Sequence, residues 1–173
     1  MFFEFTTAAR LGAGGRRNRL PHPAAASLPH SRTCDHNRGM TPSSEEPRAR
    51  LTELRNGLLK LHTVLLHSER ALYERDIARI HSSRQFLDLA MNDPAFAWLR
   101  VLSQLVVLID ETLESEEAPG AAEANRLVRR ARSLISPGDA AGTFEKAYLE
   151  ALQREPDVVL AHAAALDLLR RLE

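Results

Sequence analysis

The chain has 173 residues, of which 44% are hydrophobic and 27% charged, enough for one domain with a packed core. Lys plus Arg and Asp plus Glu both number 23, so the net charge is zero and a globally basic nucleic-acid binder is not indicated. A lone cysteine, Cys34, excludes an internal disulfide framework and a cysteine-based zinc site, and no run reaches the roughly 18 apolar residues of a membrane span.

Residues 1–39 carry six arginines against Glu4 and Asp35, with four of the eight glycines and three of the nine prolines. No helical or strand period survives there, and too little apolar surface is available to offset the entropy of ordering. Residues 1–46 therefore read as a disordered tail, and 47–173 as a single helical domain. The chain has 21 arginines but only Lys60 and Lys146, a bias that fits a GC-rich coding frame, so translation is expected to start at Met40. A targeting peptide and a basic tail touching nucleic acid or anionic lipid are the alternatives. From Met40 onward the balance is 17 basic against 21 acidic residues.

The segment TPSSEEPRAR offers Ser43 or Ser44 as a cap, with Glu45, Glu46 and Pro47 suited to a first turn. A helical pattern then runs from Leu51 to about Ile80 through Leu54, Leu58, Leu61, Leu65 and Leu72, widened by Leu59, Leu66, Tyr73, Ile77 and Ile80. Ser82 or Ser83 caps a short helix through RQFLDLAM, with Phe86, Leu87 and Ala90 as its apolar side. Asp93 and Pro94 restart the chain as N-cap and first helical residue. The helix from Pro94 to about Glu114 is the most apolar; Trp98, Leu99, Val101, Leu102, Leu105, Val106, Leu108, Ile109 and Leu113 fill most of its circumference, so it is expected to be central. Pro119-Gly120 and Pro137-Gly138 bound a helix over 121–136 with Leu127, Val128, Ala131, Leu134 and Ile135 inward. Thr143 caps a helix with Phe144, Ala147, Tyr148 and Leu152. Pro156 opens the last helix, where Val158, Val159, His162, Leu166 and Leu169 share a face. The fold class is all-α, an antiparallel bundle of five to six helices.

Arg55, His62, Glu69 and Asp76 recur every seven residues within the leucine stripe of the first helix. Tyr73 lies one turn beyond Glu69, and His162 sits on an inward face of the last helix. Buried ionisable groups need partners, so two readings stand. One is an interior polar or ligand site made by His62, Glu69, Tyr73, Asp76 and His162, with His162 within hydrogen-bonding reach of His62, Glu69 or Asp76. The other is a structural hydrogen-bonded layer. Di-iron bundles need Glu-x-x-His pairs, and none occurs, which argues against a di-iron site; no metal ligand and no cofactor is assigned. RLVRRAR places Arg126, Arg129, Arg130 and Arg132 on a solvated face or a phosphate- or partner-binding patch. Val107 falls on the polar side of its helix as a candidate interface residue. No nucleophile elbow, phosphate loop or dinucleotide loop is present, and no catalytic residue is assigned.

The strings LHTVLLHSERALYE (61–74), DPAFAWLRVLSQLVVLIDE (93–111) and DVVLAHAAAL (157–166) resemble a group of small bacterial all-helical proteins with no established activity. The group commonly carries a proline after Trp-Leu-Arg, where this chain has Val101, so no kink is expected there. The resemblance implies a helical fold and a bacterial cytoplasmic setting and transfers no site residue. Two functions remain open: a non-enzymatic interaction or regulatory module that binds a protein partner or itself, and a ligand- or metal-binding bundle. Neither nucleic acid nor a membrane is an expected partner.

Overall fold

The computed structural model describes residues 42–136, 138 and 142–173. Expectations for the segment before Met40, its start site and its disorder fall outside the described residues. Those residues form an all-α bundle of six helices: α1 (Pro42–Asp76), α2 (Ser83–Asn92), α3 (Arg100–Glu114), α4 (Ala121–Ile135), α5 (Thr143–Arg154) and α6 (Pro156–Leu172), with a 3-10 turn at Pro94–Leu99 before α3. No strand occurs among them.

The centre is α1 rather than α3. Its stripe of Leu51, Leu54, Leu58, Leu61 and Leu65 is fully buried, and it packs against α3, α4, α5, α6 and the 3-10 turn. A helix of 35 residues offers more length to neighbours than one of 15. Its apolar side therefore serves as the common wall of the bundle. At Gly57 the approach of α6 is so close that a Cβ would overlap the Leu168 side chain. Arg50 links α1 to Asn125 of α4 and to the Leu172 carbonyl at the end of α6.

α1 begins at Pro42, before the boundary at residue 46 that composition suggests, and ends at Asp76, short of Ile80. The amides of Ile77 and Ala78 both turn back onto the Tyr73 carbonyl, and Glu74 accepts from the Ile80 amide. Ile77 consequently points outward, whereas Ile80 folds back into the protein. Ser82 caps α2 by accepting from the Gln85 amide at 3.1 Å.

Asp93 Oδ1 accepts the Ala95 amide at 2.9 Å, with Pro94 at the first position. A cap of this kind contributes about 1 kcal/mol. The helix that follows is not α-helical from its start: its first six residues form the tighter 3-10 turn, and α geometry begins at Arg100. The turn drives Phe96, Trp98 and Leu99 inward. Phe96 there meets Tyr73 of α1 and Phe86 of α2 at ring-centroid distances of 5.7 and 6.0 Å. Leu102, Leu105, Val106 and Ile109 continue the buried face along α3, while Val101 stands outside it.

α4 buries Leu127, Val128, Ala131 and Ile135. Thr143 is the first residue of α5 rather than its cap; Gly142 holds the cap position without a side-chain bond. On α6 the buried face is Val158, Ala165, Leu168, Leu169 and Leu172, and Val159 lies outside it.

Candidate functional site

The heptad spacing of polar residues on α1 has a structural origin. Arg55 pairs with Asp110 of α3. Seven residues later on α1 and seven earlier on α3, His62 Nε2 lies 2.9 Å from Ser103 Oγ. The two helices are antiparallel, so an equal step along each repeats the contact and fixes their register. The third step does not repeat it, because α3 has given way to the 3-10 turn. Glu69 turns instead to Arg154 of α5, whose Nη2 lies 3.5 Å from Glu69 Oε2 and 3.0 Å from Ser68 Oγ. Asp76, at the helix end, is exposed and among the described residues pairs only with its neighbour Arg75, at 2.6 Å.

The five residues of the expected interior site therefore separate. His62 bonds α3, Glu69 bonds α5, Tyr73 packs on Phe96, and Asp76 faces solvent. His162 Nδ1 lies 2.8 Å from the Tyr148 hydroxyl, and among the described residues it makes no hydrogen bond to His62, Glu69 or Asp76. The physical reason is the aromatic row Trp98–Phe144–Tyr148–His162, with successive centroids 5.8, 5.5 and 5.7 Å apart. Those rings supply the partner that His162 needs within its own helix pair, α5 and α6. No group of three or more His, Cys, Asp and Glu side chains able to hold a metal ion occurs among the described residues.

Burial sets the protonation of these groups. It raises the Glu69 carboxyl above the ordinary value, opposed by the Arg154 guanidinium and by the Trp98 indole; Glu150 adds to the rise. His62 and His162 are both lowered by burial, which keeps them neutral near pH 7, and the Tyr148 hydroxyl is raised by it. Tyr148 and His162 are therefore both neutral partners in their 2.8 Å hydrogen bond. At the other pair, Ser103 Oγ also lies 3.3 Å from the Leu99 carbonyl of its own helix. The Ser103 hydroxyl thus has two acceptors in reach, and the imidazole tautomer sets which way the 2.9 Å contact with His62 runs.

Sequence periodicity does not reveal the cleft that these elements enclose. α1, α2 and α3 wall a space of about 660 Å³ whose lining includes His62, Leu66, Leu87, Met91, Ser103 and Val107. Leu87 and Met91, one turn apart on α2, are each 64% exposed, and Val107 of α3 is 52% exposed. The interface candidate Val107 thus lies beside the apolar ridge of a second helix. α2 itself buries no residue. It is held through Phe86, which meets Phe96 and lies 5.0 Å under the Arg70 guanidinium, and through Arg100, which donates to the Met91 carbonyl at 2.9 Å. Leu87 was expected on the inward side of α2, but the inward positions go to Phe86, Leu89 and Ala90.

Of the arginine cluster on α4, Arg126 pairs with Glu123 and Arg132 with Glu173, while Arg130 reaches the rim of the cleft. A second groove of about 590 Å³ runs between α1 and the start of α6, lined by Val64, His67, Ser68 and Leu160 with Glu155 and Asp157 at its edge. No helix among the described residues is long and apolar enough to cross a membrane. Comparison of the chain with protein-family models, curated proteins and solved structures finds no match.

Proposed function

We propose that the domain is a non-enzymatic, cytoplasmic binding module and that the cleft between α1, α2 and α3 is its recognition surface. The observation that carries this reading is the convergence of Leu87, Met91 and Val107 on one cavity while each leaves half or more of its surface in water. Single exposed apolar residues are ordinary, but three on two helices facing one concavity form a patch that gains free energy when covered. The polar groups nearby support a binding role over a catalytic one, because His62, Ser103, Arg55 and Asp110 are committed to aligning α1 with α3. Of the two functions left open by the sequence, a small ligand suits this cleft better than a protein helix. Its volume lies in the range of small-molecule sites, and it is walled on three sides.

A dye that fluoresces on apolar protein surface supplies the test. The full chain is expected to bind it at one saturable site, and Met91→Glu with Val107→Glu to abolish that binding while leaving the far-ultraviolet circular dichroism unchanged. Undiminished binding in the double variant contradicts the assignment.

A further inference from the structure

The rim of the same cleft is charged in an ordered way. Along the cleft-facing side of α3 the residues run Arg100, Ser103, Gln104, Val107 and Glu111. Arg100 and Glu111 stand about 16 Å apart along the helix axis, from eleven residues at the rise of an α-helix. The cationic end thus adjoins the hydroxyl and amide of Ser103 and Gln104, and the anionic end lies beyond Val107. Arg130 of α4 adds a second cation to the rim. Neither Arg100 nor Arg130 is in an ion pair among the described residues. Arg100 is nonetheless positioned, since its Nη2 bonds the Met91 carbonyl at the end of α2, leaving the other guanidinium donors for an anion.

We infer that the cleft takes a free fatty carboxylate, with the carboxylate at Arg100, Ser103 and Gln104 and the acyl chain along Leu87, Met91 and Val107. This inference rests on the cleft being the recognition surface, and three features support it. The lining joins apolar side chains to Arg100, Ser103 and Gln104 near one end of α3 and Glu111 further along it, a pattern that suits an amphipathic molecule with an anionic head. A carboxylate at Arg100 meets opposite charge and stays clear of Glu111, so the field orients the ligand. Finally, α2 contributes Leu87, Ala90 and Met91 to the apolar wall yet buries no residue and rests mainly on the 3-10 turn.

The test titrates the full chain with dodecanoate and with dodecanol, the same chain without the charge, reading displacement of the apolar dye and the shift in melting temperature. Dodecanoate is expected to displace the dye and raise the melting temperature. Arg100→Gln should weaken dodecanoate about tenfold more than it weakens dodecanol, the loss of one charge-assisted contact, since any loosening of α2 from the lost Met91 contact affects both ligands. Retained dodecanol binding shows that the variant keeps the cleft. If the dye binds but dodecanoate does not displace it, or if dodecanoate and dodecanol respond alike to Arg100→Gln, the anion assignment fails and the recognition surface stands. If neither dye nor dodecanoate binds, both readings fail. Co-sedimentation with vesicles containing phosphatidylglycerol that depends on Arg100 overturns the assignment in favour of a lipid surface. A dimer dissolved by Val107→Glu overturns it in favour of a second copy.

Discussion

Replacing Trp98 with alanine is expected to lower unfolding free energy by about 3–5 kcal/mol. The indole is 8% exposed at the end of the 3-10 turn, where it meets Phe144 at 5.8 Å. Its removal opens a cavity between the turn and α5 that rigid neighbours fill only in part. It also removes one of the two groups that favour the charged form of Glu69. The change is read from urea denaturation as a shift in midpoint at constant slope. Trp98→Phe restores most of the packing without the N–H, so it should recover more than half of the loss. A loss below about 1 kcal/mol for Trp98→Ala means that the turn does not face the core.

The second large effect concerns Glu69 and Arg154. Replacing Arg154 with leucine strands a carboxylate whose side chain is 9% exposed. The expected cost is about 3 kcal/mol at pH 8, the low end for breaking a buried pair, because Arg154 keeps 19% of its side chain in contact with water. The cost depends on pH. Burial already holds the Glu69 carboxyl above its ordinary value, so the folded state binds that proton more tightly than the unfolded chain. Ionising Glu69 therefore takes stability away as pH rises through the folded value, and that value climbs further without Arg154. The deficit of Arg154→Leu should shrink as pH falls and Glu69 takes up its proton. Adding Glu69→Gln should restore most of the loss at pH 8, and Glu69→Gln alone should stay within about 1 kcal/mol of the parent protein. Thermal melts across pH 5–8 check this. A deficit that is flat with pH and unrelieved by Glu69→Gln shows that Arg154 acts through packing alone.

The helical class was legible because helical periodicity is local. The leucine stripe of α1, the Asp93-Pro94 restart and the Pro156 start need only neighbours in sequence to declare themselves. The failures arise where a second element decides. Ile77 continues the period of α1, yet the chain turns back at Tyr73 and leaves it outside. The 3-10 turn at Pro94–Leu99 shares its apolar residues with an α-helix and could not be told from one by period. The polar heptad was visible as Arg55, His62, Glu69 and Asp76, but spacing along one helix says nothing of the partner. The antiparallel α3 takes the first two, α5 the third and solvent the fourth. The same spacing that suggested a shared interior site is in fact a register device over its first two steps. The cleft was beyond reach for a related reason: Val107 stood out alone on α3, but its companions Leu87 and Met91 belong to a helix whose outward side had to be seen in place.

The most direct measurement is a methyl-resolved nuclear magnetic resonance titration of the full chain with dodecanoate. The recognition surface predicts that the methyl signals of Leu87, Met91 and Val107 shift together and saturate at one equivalent. Leu160, 68% exposed beside the second groove, should stay in place as an internal control. Shifts centred on Leu160, or equal shifts across all exposed methyls, would contradict the assignment of the α1–α2–α3 cleft.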